Sequence, residues 1–592
     1  MHHMRGLFAA SLAAAAVLPG PGPANATHIR HSAAAQWTSF STGGASRLAV
    51  LLTDSTAPWL PLAHGLRTIG VPFLITRDYH VALTHRVVLV YPIISGRTLS
   101  ADALRALAAF KGTMIATSVL GGGLAETFGF ADAVPSRTRT AITFSADAMK
   151  RFGLNDPRES TLRAPPAYGY TKPVEPPLAT FDDGTAAMTV HGHAYALSVD
   201  LGALLETGYG GHDETLARAY DNQFEPTIDV WLRVIRQLYV DGEPNAVTLG
   251  TVPDGKPLAV MITHDVDYLR SVDNSRAYAD FEHAAGIPAT YFVQTKYVRD
   301  YNDDVFFNDA ASPKLRQLAM AGLELASHSV AHSRQFATLP VGTGDERFPG
   351  YRPFVQNATA TTGATVLGEL RISKYLLESI APDTVTAFRP GYLAEPRVLP
   401  QALAAVGYRF SSSTTANASL THLPFALTDD RAGEAESGIF EFPVSIEDEA
   451  LPRMDARVND ALDVARRVSR YGGEMVVLIH PNVTDYKLKF EQGFVGALRS
   501  TAWFGTVSGF GRWWAARDGV GCDVTADGGT ITLRLTAQRA IDGLPISVPA
   551  SWSYVSADVG VNVRPASPHT IIVQAPPGAA RIVFRSEPGG QP

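Results

Sequence analysis

Two carboxylates and two histidines stand at spacings that suit metal-assisted hydrolysis. Asp265 and Asp267 close the apolar run "AVMITHDVD", and residues two apart in a strand project to the same side. His328 and His332, in "ASHSVAHS", are four residues apart, which predicts two imidazoles on one face of a helical turn. An aspartate with two histidines leaves one metal position open for water, which is the composition expected of a catalytic zinc.

Two more groups suited to catalysis follow later apolar runs. Arg389 comes directly after "VTAF", and His480 comes directly after "EMVVLI". Both runs are predicted parallel strands, as is the run that ends at Asp265. Active sites of α/β barrels are built at the carboxyl ends of such strands. We therefore expect these groups to converge on one site.

Apolar strands alternate with amphipathic helices in two parts of the chain, which predicts α/β domains with parallel sheets. Residues 46–245 have the pattern of a flavodoxin-like or amidotransferase-like domain, with a β-rich part after residue 160 that is a candidate carbohydrate-binding region. The alternation returns within residues 246–517. Short strands separated by Gly and Pro predict a small β-sandwich over residues 518–592. An amidotransferase activity is not expected, because the loop "TSVLGGG" lacks the nucleophilic cysteine.

Four motifs occur in a fixed order: an Asp pair after a strand, "HSVAHS", "RPGY" and "LIH". This set resembles the polysaccharide deacetylases with the NodB-homology fold, of the carbohydrate esterase 4 type. In layout the chain resembles the secreted exopolysaccharide deacetylases that act on galactosamine-containing polymers such as galactosaminogalactan. The resemblance covers residues 257–517, and it implies a distorted (β/α) barrel over residues 246–517.

The resemblance implies a metal site and a reaction. Asp267, His328 and His332 are expected to hold Zn²⁺, or another divalent metal such as Co²⁺ or Ni²⁺. The substrate is expected to be an N-acetylhexosamine polymer, of GalNAc or GlcNAc units, from which acetate is released.

The resemblance also implies four catalytic roles. Asp265 is expected to be the general base, and Arg389 is expected to orient it and keep it ionised. The backbone N–H of Tyr392 is expected to stabilise the oxyanion, and protonated His480 is expected to donate a proton to the leaving amine.

The chain departs from the family pattern in ways that leave alternatives open. Val266 separates the two aspartates that are usually adjacent, so Asp265 and Asp267 could exchange the roles of base and ligand. His264 takes the usual place of Phe, and a structural role is expected for it before a ligand role. The carboxylate of the fourth motif is missing from "RFSSSTTANAS", so a supporting carboxylate must come from elsewhere or be absent.

A second match to the first motif, "TFDDG" at residues 180–184, is closer in its letters. It follows a Pro-rich stretch and lies more than twice as far from His328 as Asp265 does. Prolines do not suit a buried central strand, and Asp with Gly favours a turn. We interpret this pentapeptide as a hairpin turn.

The long segment between His332 and Arg389 predicts a loop and an extra helix over the cleft. Tyr351, Arg352 and Phe354 could line a sugar subsite there or pack within the loop, and the sequence leaves both readings open. Two other functions also stay open: a catalytically impaired polysaccharide-binding protein, and an amidase of the same fold that acts on a non-sugar amide.

Composition and the first residues limit the setting of the protein. A formal charge of −7 without a dense basic cluster argues against nucleic-acid binding. Residues 1–26 have the pattern of a signal peptide with cleavage after Ala26, and residues 27–45 of a linker, which predicts a secreted or periplasmic protein. No later apolar run is long enough for a transmembrane segment. Cys522 stands alone, so an intramolecular disulfide is excluded, and the oligomeric state is left open.

Overall fold

A computed structural model of the chain describes residues 37–165, 167–211 and 224–586. The predicted signal peptide and the start of the predicted linker lie outside the described residues. The end of the predicted linker includes a short 3₁₀ helix, Trp37–Phe40, which packs on the first domain. The Phe40 ring stacks on Phe73, with 5.7 Å between the ring centroids.

Eleven strands form the sheet of the first domain: β1 (Leu48–Leu52), β2 (Phe73–Thr76), β3 (Val87–Tyr91), β4 (Thr113–Ala116), β5 (Asp132–Ser136), β6 (Ala141–Phe144), β7 (Thr161–Arg163), β8 (Ala167–Thr171), β9 (Ala179–Phe181), β10 (Ala186–His191) and β11 (Ala194–Leu197). Their order is β2-β1-β3-β4-β11-β10-β9-β6-β7, with β8 paired to β10 and to β5. The first four strands are parallel, and the β-rich part adds antiparallel pairs.

Seven helices accompany this sheet: α1 (Trp59–Thr68), α2 (Tyr79–Ala82), α3 (Ala101–Ala109), α4 (Ala146–Phe152), α5 (Pro157–Ser160), α6 (Leu201–Glu206) and α7 (Thr227–Gly242). Helix α7 shows why they pack. It buries Ile228, Trp231, Leu232, Ile235 and Leu238, a spacing of three and four residues that places apolar side chains on one helical face.

The pentapeptide at residues 180–184 forms the turn between β9 and β10, which pair antiparallel. Gly184 takes a left-handed conformation with φ of +81°, and the Asp183 carboxylate accepts hydrogen bonds from the backbone N–H and the hydroxyl of Thr185. Arg139 forms an ion pair with Asp183 at 2.8 Å. The closer match to the first motif is therefore a hairpin turn, as predicted.

A strand of two residues, β12 (Thr248–Leu249), precedes the second large sheet. That sheet contains β13 (Ala259–Val266), β14 (Ala289–Val293) and β15 (Glu324–Ser327), and beyond a separate hairpin of β16 (Phe354–Asn357) and β17 (Ala360–Thr362) it continues with β18 (Ala387–Phe388), β19 (Phe410–Ser411), β20 (Phe425–Thr428), β21 (Glu436–Glu441), β22 (Val444–Ile446), β23 (Glu474–Ile479) and β24 (Trp503–Phe504). Its helices are α8 (Leu269–Ala285), α9 (Ser312–Met320), α10 (Val366–Glu378), α11 (Leu399–Val406), α12 (Ala416–Ser419), α13 (Val458–Val468), α14 (Tyr486–Leu498) and α15 (Val507–Asp518).

The second sheet is curled. Its order is β20-β21-β19-β18-β15-β14-β13-β23-β22, and all of these neighbours are parallel except β20 with β21. Strands β21 and β22 pair near opposite ends of this order, yet only Phe442 and Pro443 separate them in the chain. Because three residue steps span at most about 11 Å, the two ends of the sheet must approach each other.

Seven more strands complete the chain: β25 (Gly521–Asp527), β26 (Thr530–Ala537), β27 (Ile541–Ser547), β28 (Trp552–Ala557), β29 (Asn562–Ser567), β30 (Thr570–Ala575) and β31 (Gly578–Ser586). They form two antiparallel sheets, β25-β26-β31-β28 and β12-β27-β30-β29. Leu533 and Ile582 of the first and Leu544 and Val573 of the second are buried in one apolar cluster. Strand β12, in the segment predicted as barrel, therefore belongs to a C-terminal sheet. Among the described helices, none combines the length and the apolar character that crossing a membrane requires.

Candidate active site

The predicted site residues meet at the carboxyl ends of neighbouring parallel strands. Asp265 lies near the end of β13 and Asp267 directly follows it, while His328 follows β15, Arg389 follows β18 and His480 follows β23. These strands are adjacent in the order β18-β15-β14-β13-β23. The convergence expected from the strand ends is therefore present.

The candidate metal ligands face one another. The Asp267 Oδ1 atom lies 3.3 Å from His328 Nε2 and 3.7 Å from His332 Nε2, and all three side chains are buried. One ligand atom from each lies within 4.8 Å of the others. Oδ1 of Asp267 accepts no hydrogen bond. A buried carboxylate oxygen that faces two imidazole nitrogens without a proton donor fits a divalent cation.

The two histidines are in the form that a metal requires. Burial lowers the pKa of His328 and brings the pKa of His332 to about 4, so both rings are neutral near pH 7. His328 Nδ1 lies 2.8 Å from the carbonyl oxygen of Arg389, to which it donates, and this leaves Nε2 facing the site. Burial also raises the pKa of Asp267 in the metal-free protein.

The helical turn predicted for the histidine pair is wrong. His328 and His332 lie in a loop after β15, and both Ser329 and His332 have left-handed backbone angles, with φ of +65° and +50°. The loop reverses direction and returns the second imidazole to the first. The two rings are 4.9 Å apart between centroids, so the pair forms without a helix.

Asp265 is held by a buried arginine. Arg389 Nη1 donates to Asp265 Oδ1 at 2.7 Å and to Thr263 Oγ1 at 3.0 Å, and Nη2 donates to Ser412 Oγ at 2.9 Å. Burial acts to raise the pKa of Asp265, but the charges of Arg389 and of the neighbouring His328 outweigh it and lower that pKa. The pair is suited to keep an ionised carboxylate beside the metal ligands.

His480 has a carboxylate partner that the sequence did not reveal. Its Nδ1 atom lies 2.8 Å from Asp448 Oδ1, and its backbone N–H donates to Asp448 Oδ2 at 2.6 Å. Lys487 Nζ also lies 2.6 Å from Asp448 Oδ2. Burial acts to lower the pKa of His480, but the Asp448 charge outweighs it and raises that pKa to about 10.

Asp448 supplies the carboxylate that was missing from the fourth motif. Burial acts to raise its pKa, but His480 and Lys487 outweigh burial and bring that pKa to about 2. Asp448 follows the apolar strand Val444–Ile446 in "FPVSIEDEA". The strand-end rule that singled out Asp265 would have singled out Asp448 as well.

Tyr392 lies in a tight turn beside the metal ligands. It has φ of +58°, and its half-exposed ring packs on His332 with 4.7 Å between centroids and on the Arg334 guanidinium at 4.2 Å. A Cβ atom at Gly391 would lie 2.4 Å from the His332 ring. The glycine in "RPGY" is therefore explained by close contact with a metal ligand.

The site opens into a cavity of about 850 Å³. Asp265, Asp267, His328, His332 and His480 line it. The first domain contributes Arg163 at the end of β7, and the other lining residues include Tyr268, Tyr392, Thr415, Asn417, Glu447, Glu449, Asn482 and Lys487. The described part of the first domain therefore reaches the cleft of the second.

Two open readings of the sequence are settled by burial. The Tyr351 side chain is buried, and its hydroxyl donates to Glu369 at 2.9 Å, so this ring packs within the insertion. Phe354 is 41% exposed. His264 faces away from the site, where it contacts Glu282 of α8 at 2.7 Å in a fully buried position, so its role is structural.

Residues 253–411 match the family model of the polysaccharide deacetylases. The chain therefore carries a polysaccharide deacetylase domain, and the matched segment includes both aspartates, both loop histidines and the arginine of the site. Proteins of this family are hydrolases that act on amide bonds. No curated protein sequence matches the chain.

Several solved structures share the fold. Agd3, a carbohydrate deacetylase, is 12% identical, with 92% of this chain and 99% of that chain covered and a TM-score of 0.42. The chitin deacetylase of the fungal pathogen Colletotrichum lindemuthianum is 15% identical over 44% of this chain and 88% of that chain, with a TM-score of 0.26. A mutant of BA3943, a pseudoenzyme of the CE4 family, is 12% identical over 43% and 67%, with a TM-score of 0.26. Similarities this low do not assign an activity to the chain.

Proposed function

We propose that the protein removes acetyl groups from N-acetylhexosamine units of a polysaccharide and depends on a divalent metal. One observation carries the proposal. Within a deacetylase domain, an aspartate held by arginine, an aspartate with two histidines, and a histidine with its own carboxylate all line one cavity. These are the groups that metal-assisted amide hydrolysis needs.

Asp267, His328 and His332 would hold the metal, because their ligand atoms converge and Asp267 Oδ1 has no hydrogen-bond donor. Nitrogen and oxygen donors of this kind suit Zn²⁺, and Co²⁺ or Ni²⁺ as substitutes. When bound, a divalent metal polarises the acetamide carbonyl and lowers the pKa of water.

Asp265 is proposed as the general base. Its Oδ1 atom is held by Arg389, and its lowered pKa keeps it ionised, so it can accept a proton from the attacking water. Its Oδ2 atom lies 3.7 Å from His328 Nε2, which places the base beside the ligands. The exchanged assignment is less favoured, since the unpartnered oxygen that faces both histidines belongs to Asp267.

His480 is proposed as the general acid. Its raised pKa of about 10 keeps it protonated near pH 7, and its Nε2 atom lies 3.4 Å from Asp267 Oδ2, inside the site. The water oxygen bonds to the acetyl carbon, Asp265 takes the water proton, and His480 gives a proton to the nitrogen as the C–N bond breaks. The products are acetate and a free amine. The backbone N–H of Tyr392, at the cavity wall, is proposed to stabilise the oxyanion.

The test is acetate release by purified protein loaded with Zn²⁺ or Co²⁺. Partly acetylated oligomers of GlcNAc and of GalNAc should release acetate, and small cyclic amides should not be hydrolysed. His328→Ala should abolish release, whereas His191→Ala, at an exposed hairpin outside the site, should leave it unchanged. Full activity of His328→Ala would contradict the metal assignment. Polymer binding that persists without any acetate release would favour the impaired binding protein.

Export of the protein is part of this proposal. The amino-terminal pattern of residues 1–26 supports it, and an extracellular polymer is accessible only to an exported enzyme.

A further inference from the structure

The loop that carries both histidine ligands needs support from outside its own backbone. It belongs to no helix or strand, and Ser329 and His332 hold left-handed backbone angles that residues other than glycine rarely adopt. Buried backbone N–H groups in such a loop require acceptors. The groups that supply these acceptors therefore decide where the imidazoles lie.

Glu369 of α10 supplies acceptors for the middle of the loop. Its Oε2 atom accepts hydrogen bonds from the backbone N–H groups of Val330 and Ala331, both at 2.8 Å. Its Oε1 atom accepts the Tyr351 hydroxyl at 2.9 Å. The Glu369 carboxylate is fully buried, so these three bonds replace the water that an exposed carboxylate would have.

A second buried carboxylate supports the end of the loop. The Asn302 side-chain amide donates to the His332 carbonyl oxygen at 2.8 Å, and the Asn302 backbone N–H donates to Asp300 Oδ1 at 2.9 Å. Asp300 Oδ2 accepts the backbone N–H of Val355 at 3.1 Å and Lys296 Nζ at 2.6 Å. The loop is thus fixed on two sides.

Both supports reach the insertion between His332 and α10. Tyr351 and Val355 belong to that insertion, and each bonds to one of the two carboxylates. We infer that Glu369 is a positioning residue for the metal ligands and that, through Tyr351, it couples the insertion over the cleft to the metal-binding loop. This inference rests on the proposed function, because it assumes that His328 and His332 hold a metal.

Loss of this support should weaken metal binding, because groups that orient metal ligands typically change affinity by about 10- to 100-fold. The probe is Co²⁺, titrated into metal-free protein, with its visible absorption spectrum recorded as a report of ligand geometry. Glu369→Ala should bind Co²⁺ at least about 10-fold more weakly and give an altered spectrum. Glu369→Gln keeps an oxygen for the two N–H groups and should restore affinity to within about 3-fold of the wild-type value.

The chain offers a matched control in Glu159. This carboxylate is also fully buried, and it accepts the backbone N–H groups of Asn155 and Asp156 at 2.7 and 2.9 Å and the Tyr471 hydroxyl at 2.8 Å. It lies outside the metal loop. Glu159→Ala should lower the thermal stability of the metal-free protein without changing the Co²⁺ affinity or spectrum.

Three results would overturn the inference. The first is folded Glu369→Ala that binds Co²⁺ with wild-type affinity and spectrum, and the second is Glu369→Gln that fails to restore binding. If Glu369→Ala does not fold, Tyr351→Phe takes its place, and unchanged Co²⁺ binding in that variant is the third. Wild-type protein that binds no Co²⁺ would overturn the proposed metal site as well. Wild-type protein that binds Co²⁺ without releasing acetate would contradict only the proposed activity.

Discussion

His480 Nδ1 lies 2.8 Å from Asp448 Oδ1, and the same carboxylate accepts the His480 backbone N–H and contacts Lys487. The two residues come from neighbouring strand ends, after β23 and β22. Through this contact Asp448 holds the proton on the ring that faces the metal ligands. The pair therefore combines an orienting function with control of a pKa.

Replacing Asp448 should move the alkaline limb of the pH–activity profile. The general acid must be protonated, so activity falls as pH rises through the pKa of His480, which is about 10 in the wild type. Asp448→Asn removes the charge that raises this pKa, and burial then lowers it toward or below its usual range. The profile of kcat/KM against pH should lose activity at a lower pH in the variant. An unchanged alkaline limb would contradict the role of His480 as the acid.

Replacing Arg389 should move the acid limb in the opposite direction. In Arg389→Met the charge that opposes burial is lost, so the pKa of Asp265 rises and more acid pH values leave the base protonated. Loss of the general base costs about 100- to 10,000-fold in rate. We expect kcat to fall by at least about 100-fold at pH 6, with partial recovery as pH rises. A fall in kcat that is the same at every pH would argue against Asp265 as the base.

A methyl group at Gly391 should disturb the metal site. The added Cβ atom would lie 2.4 Å from the His332 ring, so the imidazole must shift. Gly391→Ala should weaken Zn²⁺ binding by about 10-fold, measured by competition with a chelating dye. Gly496→Ala in α14 is the matched control, because a Cβ there meets no atom within 4 Å. Equal Zn²⁺ affinities for the two variants would show that Gly391 does not limit the position of His332.

The contact between the first two domains should weaken in acid. Glu436 of β21 meets His64 at 3.1 Å and Arg67 at 2.8 Å, both on α1. The hydrogen bond to His64, with the Arg67 charge, brings the pKa of Glu436 to about 2, below its usual 4.5. A carboxylate with a lowered pKa stabilises the fold above the unfolded-state value, and this stabilisation is lost as pH falls from 4.5 through 2. Thermal unfolding should therefore show a smaller acid loss of stability for Glu436→Gln than for the wild type. Identical losses would exclude this contribution.

Much of the site was accessible from the sequence because one rule applies to it. Polar residues that end apolar strands meet at the carboxyl edge of a parallel sheet, and this identified Asp265, Asp267, Arg389 and His480. Strand alternation also indicated the parallel part of the first sheet. These features depend on neighbours in the chain, which a sequence pattern can show.

The remaining features depend on groups distant in the chain. The loop path of His328 and His332 depends on Glu369, which lies on another element and accepts two backbone N–H groups. The pairing of Asp448 with His480 depends on which strands are neighbours in the curled sheet. The burial of Tyr351 depends on its bond to Glu369. None of these contacts has a local sequence signal, so the helical spacing of the two histidines was misleading.

The central claim is that this chain deacetylates a hexosamine polymer with a metal held by Asp267, His328 and His332. The most direct test is acetate release from a partly acetylated GalNAc or GlcNAc polymer by chelator-treated protein, with Zn²⁺ added back in steps. Release should fall to background after chelation and recover as one equivalent of Zn²⁺ per chain is added. Release that survives complete removal of the metal, or that never exceeds background with Zn²⁺ restored, would contradict the account.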